Sequence, residues 1–279
     1  MIRLIASDLD GTLIGEDSRL SDRTLAALRQ AAQSGIEILF ITGRPLRWLQ
    51  PVLAQLGEDW PYQRTSLICS NGAITYSLAR RTVESSRCLS GQQVLDIHQD
   101  LERAFPQAIF LAETQDSIYA QGPYQPHSPQ DASILLPGPL TQTLPADAQV
   151  VKYLLYQAGA TPALLLEQVG QLVGERASAT RSAPYEPLVE IAQRGLSKGR
   201  VLADFAAQRG IAPGQVLAFG DMPNDLEMLT WAGWGYVMAS GLPELQARVG
   251  RVCPPLDQDG AAQVIERVLA GQSLEEPSA

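Results

Sequence analysis

The sequence predicts an α/β protein: a doubly wound parallel sheet with a separate α+β lobe inserted into it. Three observations predict this. Short apolar runs at 2–7, 36–42, 66–69 and 216–219 each end in polar residues and alternate with helical patterns. The rhythm breaks near Tyr76, giving way to strands interleaved with two helices. From Leu196 the first rhythm returns. The division expected is 1–80 for the first core segment, 81–191 for the insert and 192–279 for the second core segment, since 279 residues suit two domains.

Each element has its local reason. The opening strand ends in Asp8-Leu9-Asp10-Gly11-Thr12; side chains two apart share a strand face, so Asp8 and Asp10 lie together and Leu9 points back into protein. Ser21 reads as an N-cap, Leu25, Leu28 and Ala32 follow at helical spacing, and Gly35 stops the helix. Residues 36–42 (IEILFIT) are almost continuously apolar, as in a strand buried on both faces. Pro45 suits a first helical turn, and Leu46, Leu49, Leu53 and Leu56 predict one helix after it. A short strand at 66–69 ends in Ser70-Asn71-Gly72-Ala73.

In the insert, a helix is expected at 92–104 and strands at 108–112 and 117–120. Residues 121–148, rich in Pro, Gln and Gly, read equally as loops with short strands or as a linker. A strand at 150–157, a helix at 164–173 and strands at 177–183 and 188–192 complete it. Ser197 then caps a helix bearing Val201, Leu202 and Phe205 that ends at Gly210. The strand at 216–219 runs into Gly220-Asp221-Met222-Pro223-Asn224-Asp225, and Leu226 and Leu229 start a helix. A short strand at 235–239, a helix at 258–269 and a frayed polar tail after Gly271 close the chain.

Composition excludes several functions. A net charge of −9 and a pI near 4.8 argue against nucleic acid and anionic membranes, which demand clustered cations. The hydrophobic share of 45% suits a globular core, and no apolar run spans a bilayer. Cys69, Cys88 and Cys253 lack zinc or disulfide spacing, and the start lacks a signal peptide's apolar stretch, so a cytoplasmic location is expected. His98 and His127 sit in unrelated contexts, which leaves little for a histidine-based site.

Four polar clusters stand at strand or helix ends: Asp8 with Asp10, Thr42, Lys198, and Asp221 with Asn224 and Asp225. Ligands of open α/β sheets bind outside the carboxyl ends of the strands, so these clusters are candidates for one site. Each has an ordinary explanation taken singly: a turn acid, a capping threonine, a surface lysine, a helix-start acid. Together, the carboxylates supply hard oxygens suited to Mg²⁺, and the hydroxyl, amide and ammonium supply donors suited to a phosphoryl group.

On these residues the sequence resembles the haloacid dehalogenase-like hydrolase superfamily, and within it the Cof-type sugar-phosphatase branch. The DxDGT signature stands at Asp8 to Thr12, the strand-end Thr at Thr42 in ITGRP, the helix-opening Lys at Lys198 in LSKG, and GDxxND at Gly220 to Asp225. SNGA at 70–73 and DQDGAA at 257–262 also fit, while Ala239-Ser240-Gly241 departs from the Gly-Asn or Ala-Asn of relatives. The resemblance implies a Rossmann-like core with an inserted α+β cap. It implies a Mg²⁺-dependent phosphatase of small phosphorylated metabolites, sugar phosphates first, with cap closure excluding water and reading the leaving group.

The resemblance also implies roles. Asp8 is the nucleophile that forms an aspartyl-phosphate, and Asp10 is the acid and base. Asp8, the Asp10 carbonyl and Asp221 hold Mg²⁺, while Thr42, Gly43, Lys198 and Asn224 hold phosphoryl oxygens. Asp225 positions Lys198 or a metal-bound water. Apart from the resemblance, Arg44 reads as a supporting residue that either pairs with a surface acid or, like Lys152 and Arg181, contacts the leaving group, and no spacing singles these three out. The alternatives are a phosphomutase, a dedicated glycosyl-phosphate phosphatase such as one for mannosyl-3-phosphoglycerate, and a non-catalytic Mg²⁺- and phosphate-binding signalling protein. Asp10 speaks against the last, because an acid/base two residues from the nucleophile implies turnover.

Overall fold

The structure is a computed structural model and describes residues 1–182 and 185–274. The first segment runs β1 (Leu4–Ser7), α1 (Asp22–Gln33), β2 (Glu37–Ile41), α2 (Gln50–Leu53), β3 (Thr65–Cys69), β4 (Ile74–Ser77) and β5 (Thr82–Ser86). The middle runs β6 (Leu89–Ser90), α3 (Gly91–Ala104), β7 (Ile109–Glu113), β8 (Ile118–Gln121), α4 (Pro129–Ser133), β9 (Leu135–Pro137), α5 (Leu140–Thr143), β10 (Gln149–Val150), β11 (Lys152–Tyr156), α6 (Pro162–Val173), β12 (Ala177–Thr180) and β13 (Leu188–Gln193). The last segment runs α7 (Lys198–Gln208), β14 (Val216–Gly220), α8 (Leu226–Trp231), β15 (Trp234–Met238), α9 (Pro243–Val249), β16 (Val252–Cys253) and α10 (Gly260–Leu269).

Two compact units result, one of Met1–Ser85 with Ser197–Ala279 and one of Ser86–Leu196. In the first, eight strands order as β16-β15-β14-β1-β2-β3-β4-β5, and β1 pairs in parallel with β14 on one side and β2 on the other. The chain thus winds outward in both directions from β1, a switch point where a crevice opens at the carboxyl ends. All four residues of β1 are buried, as are Ile38 to Ile41 of β2 and the whole of β14, which accounts for their unbroken apolar runs.

The caps follow the sequence. The Ser21 side chain accepts the Thr24 N–H at the start of α1, and Ser197 accepts the Arg200 N–H at the start of α7. Downstream of Pro45 the structure departs from the single helix expected there. A 3₁₀ turn at Leu46–Trp48 precedes the one-turn α2. Pro51 is the reason: it has no N–H for the Arg47 carbonyl, and its ring crowds that carbonyl. The leucine stripe still packs inward at Leu49 and Leu56, both fully buried. The β4 and β5 strands, α9 and β16 were not anticipated; the polar, wholly exposed run TVESS and the two-residue VC carry little strand signal.

The second unit has a six-stranded sheet ordered β12-β13-β11-β7-β8-β9. One face packs α3 and α6 through Val94, Ile97, Leu101, Leu165, Val169, Tyr153 and Leu155. The 121–148 stretch contributes β9 and two short helices. Of the strand expected at 177–183, β12 covers Ala177–Thr180, and residue 183 lies outside the described residues, as does the tail from 275.

Candidate active site

The residues that end β1, β2, β3 and β14 meet at the carboxyl edge of the first unit's sheet. Asp8 follows β1, where its N–H bonds the Phe219 carbonyl at 3.0 Å, and Leu9 turns away into the core at 1% exposure. Burying that leucine is worth about 2 kcal/mol and locks Asp8 and Asp10 onto the other side.

Lys198, at the first position of α7, is the centre of charge. Its Nζ lies 2.7 Å from Asp8 Oδ1 and 2.7 Å from Asp225 Oδ1, and all three side chains are buried. The other Asp225 oxygen accepts the backbone N–H groups of Asp221 and Met222 at 3.1 and 3.0 Å. Asp225 therefore has both oxygens engaged: it anchors Lys198 and shapes the 221–225 turn. Thr12 Oγ1 donates to Asp221 Oδ1 at 3.2 Å.

Asp10 is separate from this cluster in its bonding. Arg44 Nε donates to Asp10 Oδ1 and Oδ2 at 3.0 and 2.9 Å, and Arg44 Nη2 reaches Oδ1 at 2.5 Å. Arg44 Nη1 donates to Ser18 Oγ at 2.7 Å. Thr42 is fully buried and its Oγ1 accepts the Arg44 N–H at 3.0 Å, which leaves the hydroxyl hydrogen to donate elsewhere. Asn224 Nδ2 donates to Asn71 Oδ1 at 3.1 Å.

The electrostatics follow from burial. Burial, reinforced by Asp225 and Asp221, pushes the Asp8 carboxyl well above the usual range against the pull of Lys198. Burial and Asp225 raise Asp221 to about 7. For Lys198, burial opposes the charge, but the Asp225 and Asp8 carboxylates outweigh it and hold the ammonium above its ordinary value.

Carboxylate oxygens of Asp8, Asp221 and Asp225 lie within 4.8 Å of one another. With Asp225 committed to Lys198 and two backbone donors, Asp8 and Asp221 are the carboxylates left for a hard divalent cation. Gly11 makes room for Asp221: its φ is +73°, and a Cβ there would stand 2.2 Å from Asp221 Oδ2.

Thr12, Ser18 and Asn71 were given no role in the site by the sequence. Thr12 stands inside the DxDGT run and Asn71 inside an Asn-Gly turn, so each carried a signal. Ser18 carried none; its place depends on Arg44. Lys152, raised as a leaving-group contact, is buried in the second unit's sheet with Nζ 3.1 Å from Glu190 Oε1.

Comparison with known proteins places the chain in a family. A family model described as haloacid dehalogenase-like hydrolase matches residues 5–265. A Bacillus subtilis protein named as a phosphatase, YxeH, is 27% identical over 97% of this chain and 100% of its own length. An Escherichia fergusonii HMP-PP phosphatase is 28% identical over 89% of this chain and 88% of its own. Among solved structures, SMU.1108c from Streptococcus mutans superposes with a TM-score of 0.81 at 22% identity, over 97% of this chain and 100% of that one. A HAD subclass IIB sugar phosphatase superposes with a TM-score of 0.73 at 20% identity, over 95% and 98%. The chain belongs to the haloacid dehalogenase-like hydrolases, in their Cof-type phosphatase branch.

Proposed function

We propose that the chain is a Mg²⁺-dependent phosphatase of small phosphorylated metabolites, sugar phosphates first among them, acting through an aspartyl-phosphate on Asp8. The observation that carries this reading is the Lys198 ammonium shared at 2.7 Å between Asp8 and Asp225. It fixes one oxygen of a buried carboxylate and leaves the other, Oδ2, to attack.

Asp8 Oδ2 attacks phosphorus as the bond from phosphorus to the leaving oxygen breaks, and Asp10 delivers a proton to that oxygen. Asp10 then takes a proton from water, the water oxygen bonds phosphorus, and the phosphorus–Asp8 bond breaks to release inorganic phosphate. One carboxylate cannot attack and shuttle protons at once, hence the pair. Thr42 Oγ1, the Gly43 N–H, Lys198 and the Asn224 amide are the donors for phosphoryl oxygens. The Asp8 carboxylate, the Asp10 carbonyl and Asp221 are the groups to hold Mg²⁺, which when bound offsets repulsion between carboxylates and phosphoryl oxygens. Arg44 orients the proton-shuttling carboxylate of Asp10.

The test is a panel of phosphomonoesters with purified protein and Mg²⁺. Relatives named for HMP-PP and for 5-amino-6-(5-phospho-D-ribitylamino)uracil widen it beyond sugar phosphates. Phosphate release from at least one member, lost in Asp8→Asn with the fold intact, is expected. No release from any member overturns the reading.

A further inference from the structure

The turn after β3 holds an uncommon backbone. Ser70, Asn71 and Gly72 take positive φ in succession, at 50°, 54° and 118°. Two neighbouring non-glycine residues in that region persist only where their surroundings impose it, and such strain gathers at functional sites.

What imposes it is visible in the contacts. The Ser70 N–H bonds the Arg44 carbonyl at 3.0 Å and the Asn71 N–H bonds the Thr42 carbonyl at 2.9 Å, so the turn grips the chain on both sides of Gly43. Asn71, 6% exposed, also turns its Oδ1 to Asn224 Nδ2 at 3.1 Å. A Cβ on Gly43 would stand 3.3 Å from that same oxygen. Asn71 therefore joins the loop after β2 to the turn after β14. The other end of the Asn224 amide, Oδ1, is buried with no hydrogen-bond partner among the described residues. The bond to Asn71 is thus what sets which way this amide faces. Turned over, it would present an acceptor where a donor is needed.

We propose that Asn71 is a positioning residue for phosphoryl binding: its Oδ1 holds the Asn224 amide in its donating orientation while its N–H holds Thr42 beside Gly43. The proposal rests on the phosphatase reading above. Asn suits the position because it tolerates the left-handed region and supplies an acceptor at the right reach.

Three variants test it: Asn71→Gly, which keeps the left-handed turn and removes the amide, Asn224→Ala, and the double variant. Steady-state kinetics on a phosphomonoester turned over by wild type, inhibition by inorganic phosphate and thermal melts are read on each. Asn71→Gly is expected to raise KM and the phosphate inhibition constant about tenfold with kcat within about threefold, and to have no further effect in the Asn224→Ala background. Wild-type values of KM and the inhibition constant in Asn71→Gly, or effects of the two substitutions that multiply, overturn the proposal. If wild type hydrolyses no phosphomonoester, the phosphatase reading falls by itself, and the melts decide the contact: non-additive shifts support it and additive ones overturn it. Should Asn71→Gly not fold, Asn71→Ser, too short to reach Asn224, carries the same expectations.

Discussion

Arg44 encloses the Asp10 carboxylate, with Nε 3.0 and 2.9 Å from its two oxygens and Nη2 on one of them. Asp8, two residues earlier, is instead held by Lys198. The two acids of one strand end thus have different cations. Under the proposed mechanism, a lysine offers a compact charge beside the attacking carboxylate, whereas a guanidinium fixes the plane of the carboxylate proposed to move protons. Replacing Arg44 with Lys keeps the charge and loses the fork. Arg44→Lys is expected to lower kcat at least about tenfold with KM nearly unchanged, and to shift the pH–rate profile. An unaltered kcat would remove Arg44 from the site.

Lys198 neutralises two buried carboxylates at once. Lys198→Met strands both and is expected to destabilise the protein by about 3–5 kcal/mol and to abolish turnover. Adding Asp225→Asn should restore part of the stability and none of the activity, as read by denaturant unfolding and phosphate release.

Removing the divalent cation should silence the protein. Dialysis against EDTA is expected to stop phosphate release, and Mg²⁺ to restore it and raise the melting temperature; saturation at a hundredfold over the dissociation constant is worth about 2.7 kcal/mol. Asp221→Asn should lose most of that thermal shift. A melting temperature indifferent to Mg²⁺ in wild type would count against Asp8 and Asp221 as its holders.

Gly11→Ala tests the close approach beside Asp221, at the proposed metal site. The new Cβ would meet Asp221 Oδ2 and sit at a φ of +73°. Backbone strain costs about 1–2 kcal/mol. The larger expected effect is on Asp221: Mg²⁺ affinity down at least about tenfold by titration calorimetry, with the fold retained by circular dichroism.

His98 makes the second unit sensitive to acid. It is fully buried, with Nδ1 2.8 Å from the Tyr153 hydroxyl and Nε2 3.2 Å from Gln121 Oε1, and burial lowers its pKa despite the opposing pull of Glu102. The unfolded chain then binds a proton near pH 6.5 that the folded chain refuses, so stability rises with pH across that window and falls as pH drops below about 6.5. The difference in melting temperature between wild type and His98→Gln should shrink on going from pH 7.5 to 5.5. A difference independent of pH would refute the assignment.

Much of the fold was legible because its signals are local. Ser21 and Ser197 cap the helices they precede, and β1, β2 and β14 are apolar runs with polar ends. The helix expected after Pro45 failed at Pro51, where the leucine stripe was a burial pattern without a backbone able to carry one continuous helix. The β4–β5 excursion was illegible because residues 82–86 are wholly exposed and show no alternation. Of the residues the structure brings to the carboxyl edge of the first unit's sheet, Asp8, Asp10, Thr42, Lys198 and Asp221 could be named from their places at element ends. Asn71 looked like an ordinary turn residue, because its partner Asn224 lies 153 residues away.

The sequence alone determined the α/β rhythm, the polar residues that end its strands and the family whose motifs they form. Side-chain alternation, capping and turn chemistry act within a few residues and can be read without a fold. Only the tertiary structure decided the partners. It set β1 between β14 and β2, gave Lys198 to Asp8 and Asp225, gave Arg44 to Asp10 and joined Asn71 to Asn224. Charge pairing and hydrogen bonding depend on distance and burial, and for groups 190 residues apart, as Lys198 and Asp8 are, both are set by how the strands cross.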